Sequence, residues 1–97
     1  MAKESKLIDS IRLYINKRGG KVIKLHQSGF SEAGVPDLII FLPSFGTLML
    51  EAKAPGKVPT TLQLQKMKEI NNAGGIAMWC DTFGGFLKVL DKFMNMK

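Results

Sequence analysis

Residues 34–53 read GVPDLIIFLPSFGTLMLEAK, and this segment contains two apolar runs that carry charged residues at their far ends. The first run begins at Asp37, and the second ends in Glu51 and Lys53. The four residues between the runs, Pro-Ser-Phe-Gly at 43–46, have the composition of a tight turn. The segment therefore predicts an antiparallel hairpin whose open end carries two acids and a lysine.

The register of this hairpin determines whether the two acids meet. Pairing Leu42 with Thr47 would put Asp37 opposite Ala52, on the wrong face for Glu51. A shift of one residue, or a bulge, would bring Asp37 onto the face of Glu51, and we predict such an irregularity. Because neighbouring strands are about 4.8 Å apart, the two acids are then close in space.

Hydrophobic periodicity and turn residues place the other elements of the chain. The predicted elements are a helix over 3–18, a strand over 21–25, a loop over 26–36, hairpin strands over 37–42 and 47–53, a loop over 54–59, a helix capped by Thr60 or Thr61 that ends at 71–75, a strand over 76–80, and a closing helix that opens at 81–82. On a helical wheel Gln63 falls in the apolar arc and Gln65 on the polar side. Gln63 is therefore the glutamine predicted to face inward.

Composition bounds the class of protein. With 97 residues, 45% of them hydrophobic, the chain predicts a single small domain over 1–97. Its longest apolar stretches are far too short to span a bilayer, so we expect no membrane association and a soluble protein in the cytoplasm of a bacterial cell or a phage-infected host. The single cysteine, Cys80, excludes an internal disulfide and a multi-cysteine zinc site.

The net charge of +6 favours a polyanionic partner such as nucleic acid or an anionic membrane. The basic residues are spread along the chain instead of forming a tail, so the fold has to assemble any basic surface. Within that set, Lys24 and Lys57, together with Ser28, are the candidates for contacting a nucleic-acid backbone.

Two carboxylates at adjoining strand ends are hard oxygen ligands, which suit Mg²⁺ or Mn²⁺ better than zinc. Asp37 and Glu51 are the predicted ligands, and Glu4, on the apolar stripe of the first helix, completes the site directly or through water. Lys53 emerges on the same face as Glu51, where it could position an attacking water and stabilise charge on a phosphate. Gln63 could orient the water or a ligand oxygen. This set of side chains predicts metal-assisted hydrolysis of a phosphodiester.

The order and spacing of these residues resemble the PD-(D/E)xK nuclease superfamily and, within it, the VRR-NUC family. The matching positions, which cover nearly the whole chain, are Glu4, Gly34-Val35-Pro36-Asp37-Leu38, Glu51-Ala52-Lys53-Ala54-Pro55-Gly56 and Gln63. The resemblance implies an α/β fold of the restriction-endonuclease type, an α-β-β-β-α-β core with a mixed central sheet flanked by helices. It also implies that Asp37, Glu51, Lys53 and Gln63 are catalytic.

The resemblance further implies a structure-specific DNA endonuclease that requires Mg²⁺ or Mn²⁺ and cuts branched DNA such as Holliday junctions. Stand-alone members of viral or bacterial type resemble Holliday junction resolvases in being homodimers, so we expect a homodimer here. The stripe formed by Phe83, Phe86 and Phe93 is either core or the dimer interface, since so short a chain has difficulty burying it alone.

Other interpretations stay open at this point. Asp37 could cap a turn, Glu51 and Lys53 could form an exposed ion pair, and Glu4 could be solvated at a helix start. Gln63 could be a buried amide bonded to the backbone. A catalytically inactive DNA-binding module is the main alternative function, and it is disfavoured because carboxylates facing phosphate weaken binding. A sequence-specific endonuclease is disfavoured because no insertion is large enough to read base edges.

Overall fold

The computed structural model describes residues 2–25 and 32–96, which form three helices and a four-stranded sheet. The elements are α1 (Ala2–Lys17), β1 (Lys21–Lys24), β2 (Leu38–Leu42), β3 (Gly46–Ala52), α2 (Thr61–Asn72), β4 (Ala77–Cys80) and α3 (Phe83–Met94). Their order and approximate bounds agree with the prediction. No helix within the described ranges is both long and apolar enough to cross a membrane.

The sheet is mixed, with strand order β1-β2-β3-β4. The first three strands are antiparallel neighbours, and β4 joins β3 in parallel. A parallel neighbour requires a crossover connection, which α2 provides between β3 and β4. The α/β class and the α-β-β-β-α-β order with a mixed central sheet are thus confirmed.

The β2–β3 hairpin has the one-residue shift that the acids require. Leu42 pairs with Gly46, and the pairing continues without interruption to Leu38 and Leu50. One further step of this register sets Asp37 opposite Glu51. The shift, and not a bulge, therefore brings the two acids to the same face.

The main core lies between the sheet and the helices α1 and α3. Alternate residues of the central strands, Leu38 and Ile40 on β2 and Leu48 and Leu50 on β3, are fully buried against these helices. The aromatic stripe of α3 belongs to this core: Phe86 and Phe93 are at most 1% exposed, and Phe83 packs beside them partly buried. Of the two alternatives for that stripe, the core is thus confirmed for Phe86 and Phe93.

Helix α2 lies on the other face of the sheet, against β4. Its apolar contact comes from the buried Met67, and the side chain of Asn71 exchanges two hydrogen bonds with the backbone of Ala77, at 2.8 and 3.1 Å. Glu51 faces the same side as α2, because it alternates with the core residue Leu50. The first turn of α2 consequently lies next to the acidic end of the hairpin.

Candidate active site at the open end of the hairpin

Backbone hydrogen bonds hold the charged ends of the two central strands in place. The carbonyl of Asp37 accepts a hydrogen bond from the N–H of Leu25, at 2.7 Å, which extends the β1–β2 pairing by one residue. On the other strand, the N–H of Lys53 donates to the carbonyl of Cys80 at 2.9 Å. The charged side chains therefore project from rigid strand ends.

The carboxylate of Glu51 is the centre of the site. Glu51 is only 6% exposed, although it is charged. Its Oε2 atom lies 3.5 Å from Nζ of Lys53, and the same oxygen accepts a hydrogen bond from Nε2 of Gln63 at 3.4 Å. Three side chains from β3, the following loop and α2 thus converge on one point.

The amide of Gln63 is oriented by the start of its own helix. Its Oε1 atom accepts the N–H of Thr60 at 2.9 Å, and the Thr60 hydroxyl accepts the N–H of Gln63 at 3.1 Å, which together form a capping box. With the amide oxygen occupied by Thr60, the amide nitrogen is directed at Glu51. Gln65 lies instead on the exposed side, where it donates to Glu69 at 3.3 Å.

Burial and mutual repulsion perturb both acids. Burial, followed by the charge of Asp37, raises the pKa of Glu51 to about 7, and the nearby Lys53 ammonium offsets this only in part. Burial also raises the pKa of Asp37, and the charge of Glu4 adds to the rise, whereas Lys24 opposes it. The Asp37–Glu51 pair is therefore undercompensated by positive charge from the protein itself.

A divalent cation would supply the positive charge that the Asp37–Glu51 pair lacks. Oδ1 of Asp37 is buried and accepts no hydrogen bond from the residues that the structure describes. An oxygen in that condition is costly unless a cation or water occupies the adjacent space. Within residues 2–25 and 32–96, however, no three His, Cys, Asp or Glu side chains are grouped closely enough to hold one ion together. Asp37 and Glu51 form the acidic pair, and Glu4 acts on Asp37 through its charge.

Two similar solved structures are named as VRR-NUC domains. One has 24% sequence identity and a TM-score of 0.80, over 92% of this chain and 95% of the other. The second has 16% identity and a TM-score of 0.75, over 96% and 88% of the respective chains. The chain has the VRR-NUC fold. Hjc, a Holliday junction resolvase from Archaeoglobus fulgidus, is more distant, with 17% identity and a TM-score of 0.55 over 76% of this chain and 63% of its own.

No protein-family model matches the chain, and no curated protein matches it. The VRR-NUC fold is thus carried by the order of strands and helices, while most side chains differ.

Within the VRR-NUC fold, the predicted site residues fall into two groups. Asp37, Glu51, Lys53 and Gln63 come together at one end of the sheet, and the electrostatic effect of Glu4 reaches Asp37. The predicted DNA-contacting residues Lys24 and Lys57 are both exposed, and the charge of Lys24 reaches Asp37. Ser28 lies outside the described residues.

Thr60 is confirmed as the cap of α2, but its capping box with Gln63 and one further contact of this VRR-NUC fold were not predicted. The capping box was readable, because Thr60 and Gln63 have the Thr-x-x-Gln spacing that typifies it. The second contact runs from the N–H of Gly56, in the loop after Lys53, to Oδ2 of Asp81 at 3.0 Å. Since these residues are 25 positions apart in the chain, no local pattern could have indicated that contact.

Proposed function

We propose that this protein is a metal-dependent, structure-specific DNA endonuclease that cuts branched DNA such as Holliday junctions and acts as a homodimer. The observation that carries the proposal is the buried carboxylate of Glu51, which faces Asp37 and is contacted by Lys53 and Gln63. The VRR-NUC fold and the more distant likeness to a junction resolvase support the same activity.

A purely structural role for this cluster is disfavoured by its energetics. Two neighbouring acids with raised pKa values oppose folding at neutral pH, and apolar side chains of similar size would be less costly there. An ion-pair interpretation of Glu51 and Lys53 accounts for neither the burial of Glu51 nor the unpartnered oxygen of Asp37. Perturbed acids of this kind cluster at functional sites.

Asp37 and Glu51 would hold Mg²⁺ or Mn²⁺, with Glu4 acting through a water molecule. The ion would supply neutralisation of phosphate charge and activation of a water molecule. The Lys53 ammonium stabilises the negative charge that gathers on the phosphate, and Gln63 keeps the Glu51 carboxylate in one orientation. Hydrolysis joins the water oxygen to phosphorus and breaks one ester bond, which leaves a phosphate monoester and a hydroxyl end.

Positive charge on the surface supports DNA as the substrate. The net charge of +6 persists although the site itself concentrates acids. Lys24 and Lys57 are proposed to contact backbone phosphates beside the scissile bond, with Ser28 as a further candidate. Such contacts orient the duplex without reading its sequence, as a structure-specific enzyme requires.

The first test is cleavage of labelled four-way junction, flap, single-stranded and linear duplex DNA in Mg²⁺, Mn²⁺ or EDTA. We expect metal-dependent cutting of the branched substrates by the wild-type protein. Asp37→Asn and Lys53→Ala should lower cutting by at least about 1,000-fold while binding persists. Asp9→Asn and Lys68→Ala make the same chemical changes at exposed positions and should cut at the wild-type rate.

Two outcomes contradict the proposal. Tight binding of junctions without cutting in any of these metals would identify an inactive DNA-binding module. Wild-type cutting by Asp37→Asn or by Lys53→Ala would remove that residue from the catalytic set.

A further inference from the structure

The loop that leads into Asp37 packs directly against the first turn of α2. The contact is made by Gly34, which has a φ of +86°, a backbone angle that residues other than glycine rarely adopt. A Cβ atom at this position would lie 2.8 Å from Cγ of Leu62, 3.0 Å from Cγ of Lys66 and 3.2 Å from the carbonyl oxygen of Leu62. The loop and the helix are therefore closer together than a residue with a Cβ atom at position 34 would allow.

The same two elements are joined by charge. Lys66 of α2 forms an ion pair with Glu32, two residues before Gly34, and a second one with Glu69 at 3.6 Å. An exposed pair of this kind adds little stability by itself. Here it spans the same junction as the Gly34 contact, so both interactions set the distance between loop and helix.

We infer that Gly34 is a positioning residue that acts through Gln63, by allowing the first turn of α2 to approach closely enough for the Gln63 amide to reach Glu51. Leu62 immediately precedes Gln63, and its carbonyl lies in the turn that presents the amide. The hydrogen bond from Gln63 to Glu51 is already long, at 3.4 Å, so a displacement of a few tenths of an ångström breaks it. The inference rests on the proposed function, because it assigns Gly34 a part in holding the catalytic carboxylate.

Gly34→Ala is the direct test, and Gly74→Ala is its matched control. Gly74 has a φ of +99°, but a Cβ added there meets nothing within 4 Å. Both variants therefore carry backbone strain, and only Gly34→Ala adds the collision with α2. Thermal unfolding of both variants measures how much each loses in stability. The Gln63 amide signal and kcat are then compared under conditions in which both variants are equally folded.

The first readout does not depend on catalysis. In nitrogen-15 NMR spectra, the side-chain amide signal of Gln63 should move in Gly34→Ala toward its position in Glu51→Gln, where the carboxylate is absent. It should stay at the wild-type position in Gly74→Ala. An unmoved Gln63 signal in folded Gly34→Ala would overturn the inference even if the protein proves to be no nuclease.

The second readout separates positioning from a loss of stability. At saturating four-way junction, Gly34→Ala should lower kcat by up to about tenfold, the loss expected for Gln63→Ala, with little change in KM, whereas Gly74→Ala should not. In a Gln63→Ala background, Gly34→Ala should have almost no further effect, because its action runs through that amide. Effects that multiply in the double variant would overturn the inference.

A second variant covers the case in which Gly34→Ala does not fold. Leu62→Ala removes the atom nearest to the added Cβ, and Leu62 is 44% exposed, so its truncation alone costs little. Gly34→Ala/Leu62→Ala should fold and should recover most of the Gln63 signal position and of kcat. The inference would be overturned if the folded double variant still had the Gln63 signal position of Glu51→Gln and the kcat of Gln63→Ala.

Discussion

Glu51 is only 6% exposed and lies beside a second acid, Asp37, so the stability of the fold depends on the protonation of this one residue. The folded protein binds the Glu51 proton more tightly than the unfolded chain does, because its pKa is about 7 in the fold against 4.5 for an ordinary glutamate. Below pH 4.5 the group is protonated in both states. Between pH 4.5 and 7 the unfolded chain is ionised and folding has to take up a proton, and above pH 7 folding buries a charged carboxylate, so the free energy of unfolding falls as the pH rises.

We therefore predict that the metal-free protein is more stable at pH 5 than at pH 8, by on the order of 2 kcal/mol from this residue. Urea unfolding at both pH values measures the difference. Glu51→Gln should remove most of the dependence, and Glu69→Gln, on the exposed side of α2, should retain it. Equal pH dependence in the wild type and in Glu51→Gln would contradict the assignment.

Gln63 and Gln65 provide a second prediction at the same scale. Gln63 donates to Glu51, whereas Gln65 donates to the exposed Glu69. Gln63→Ala should lower kcat by about tenfold, the effect expected when one hydrogen bond to a catalytic carboxylate is lost. Gln65→Ala, measured in the same junction-cleavage assay, should remain within about twofold of wild type. The reverse order would show that the wrong glutamine has been assigned to the site.

Among the helices, α2 and α3 both begin at a capping threonine, and only α2 carries a residue of the site. Removing each cap therefore distinguishes a loss of folding stability from a loss of activity. Thr60 caps α2 and Thr82 caps α3, and each side chain accepts one backbone N–H, from Gln63 and from Gly85. Thr60→Ala and Thr82→Ala should each lower the free energy of unfolding by about 1 kcal/mol.

The two caps should differ in activity. Thr60→Ala keeps the N–H that bonds the Gln63 amide oxygen, but it removes the hydroxyl that accepts the backbone N–H of Gln63 and so loosens the turn that presents this amide to Glu51. Thr60→Ala should therefore lower kcat several-fold, and Thr82→Ala should leave it unchanged. Unfolding and cleavage are measured at a temperature at which both variants are fully folded. Equal losses of kcat in the two variants would indicate a general effect of stability.

The elements themselves were predictable from the chain because their signals are local. Periodicity gave the helices, and the Pro-Ser-Phe-Gly turn gave the hairpin. The one-residue shift of that hairpin followed from requiring Asp37 and Glu51 on one face. The contact of Gly34 with α2 could not be predicted, because it joins residues of distant segments through backbone shape and leaves no periodic trace.

The position of the aromatic stripe shows the same limit. Spacing predicted an apolar face on α3, but a face alone does not say what covers it. The structure covers it with α1 and the sheet, and Tyr14 of α1 makes edge contacts with Phe83 and Phe86. Packing between elements, which depends on the whole fold, was thus the part that the sequence left open.

At the scale of the whole molecule, the described residues span 33 × 31 × 24 Å and present one acidic pair, at one end of the sheet. A four-way junction is resolved by two opposed incisions in strands of like polarity. Under the proposed function one chain would supply one cutting centre, so resolution in a single encounter would require a second copy. The proposal of junction cleavage therefore carries the prediction of a homodimer.

Analytical ultracentrifugation should give twice the mass of one chain, and a supercoiled plasmid with an extruded cruciform tests whether both copies cut. Wild-type dimers should convert it directly to linear DNA, because both incisions fall within one bound complex. Heterodimers of wild type and Asp37→Asn, isolated through two different tags, should yield nicked circles, since only one centre in each complex is active. A single-chain mass, together with nicked circles as the first wild-type product, would show that the chain cuts alone.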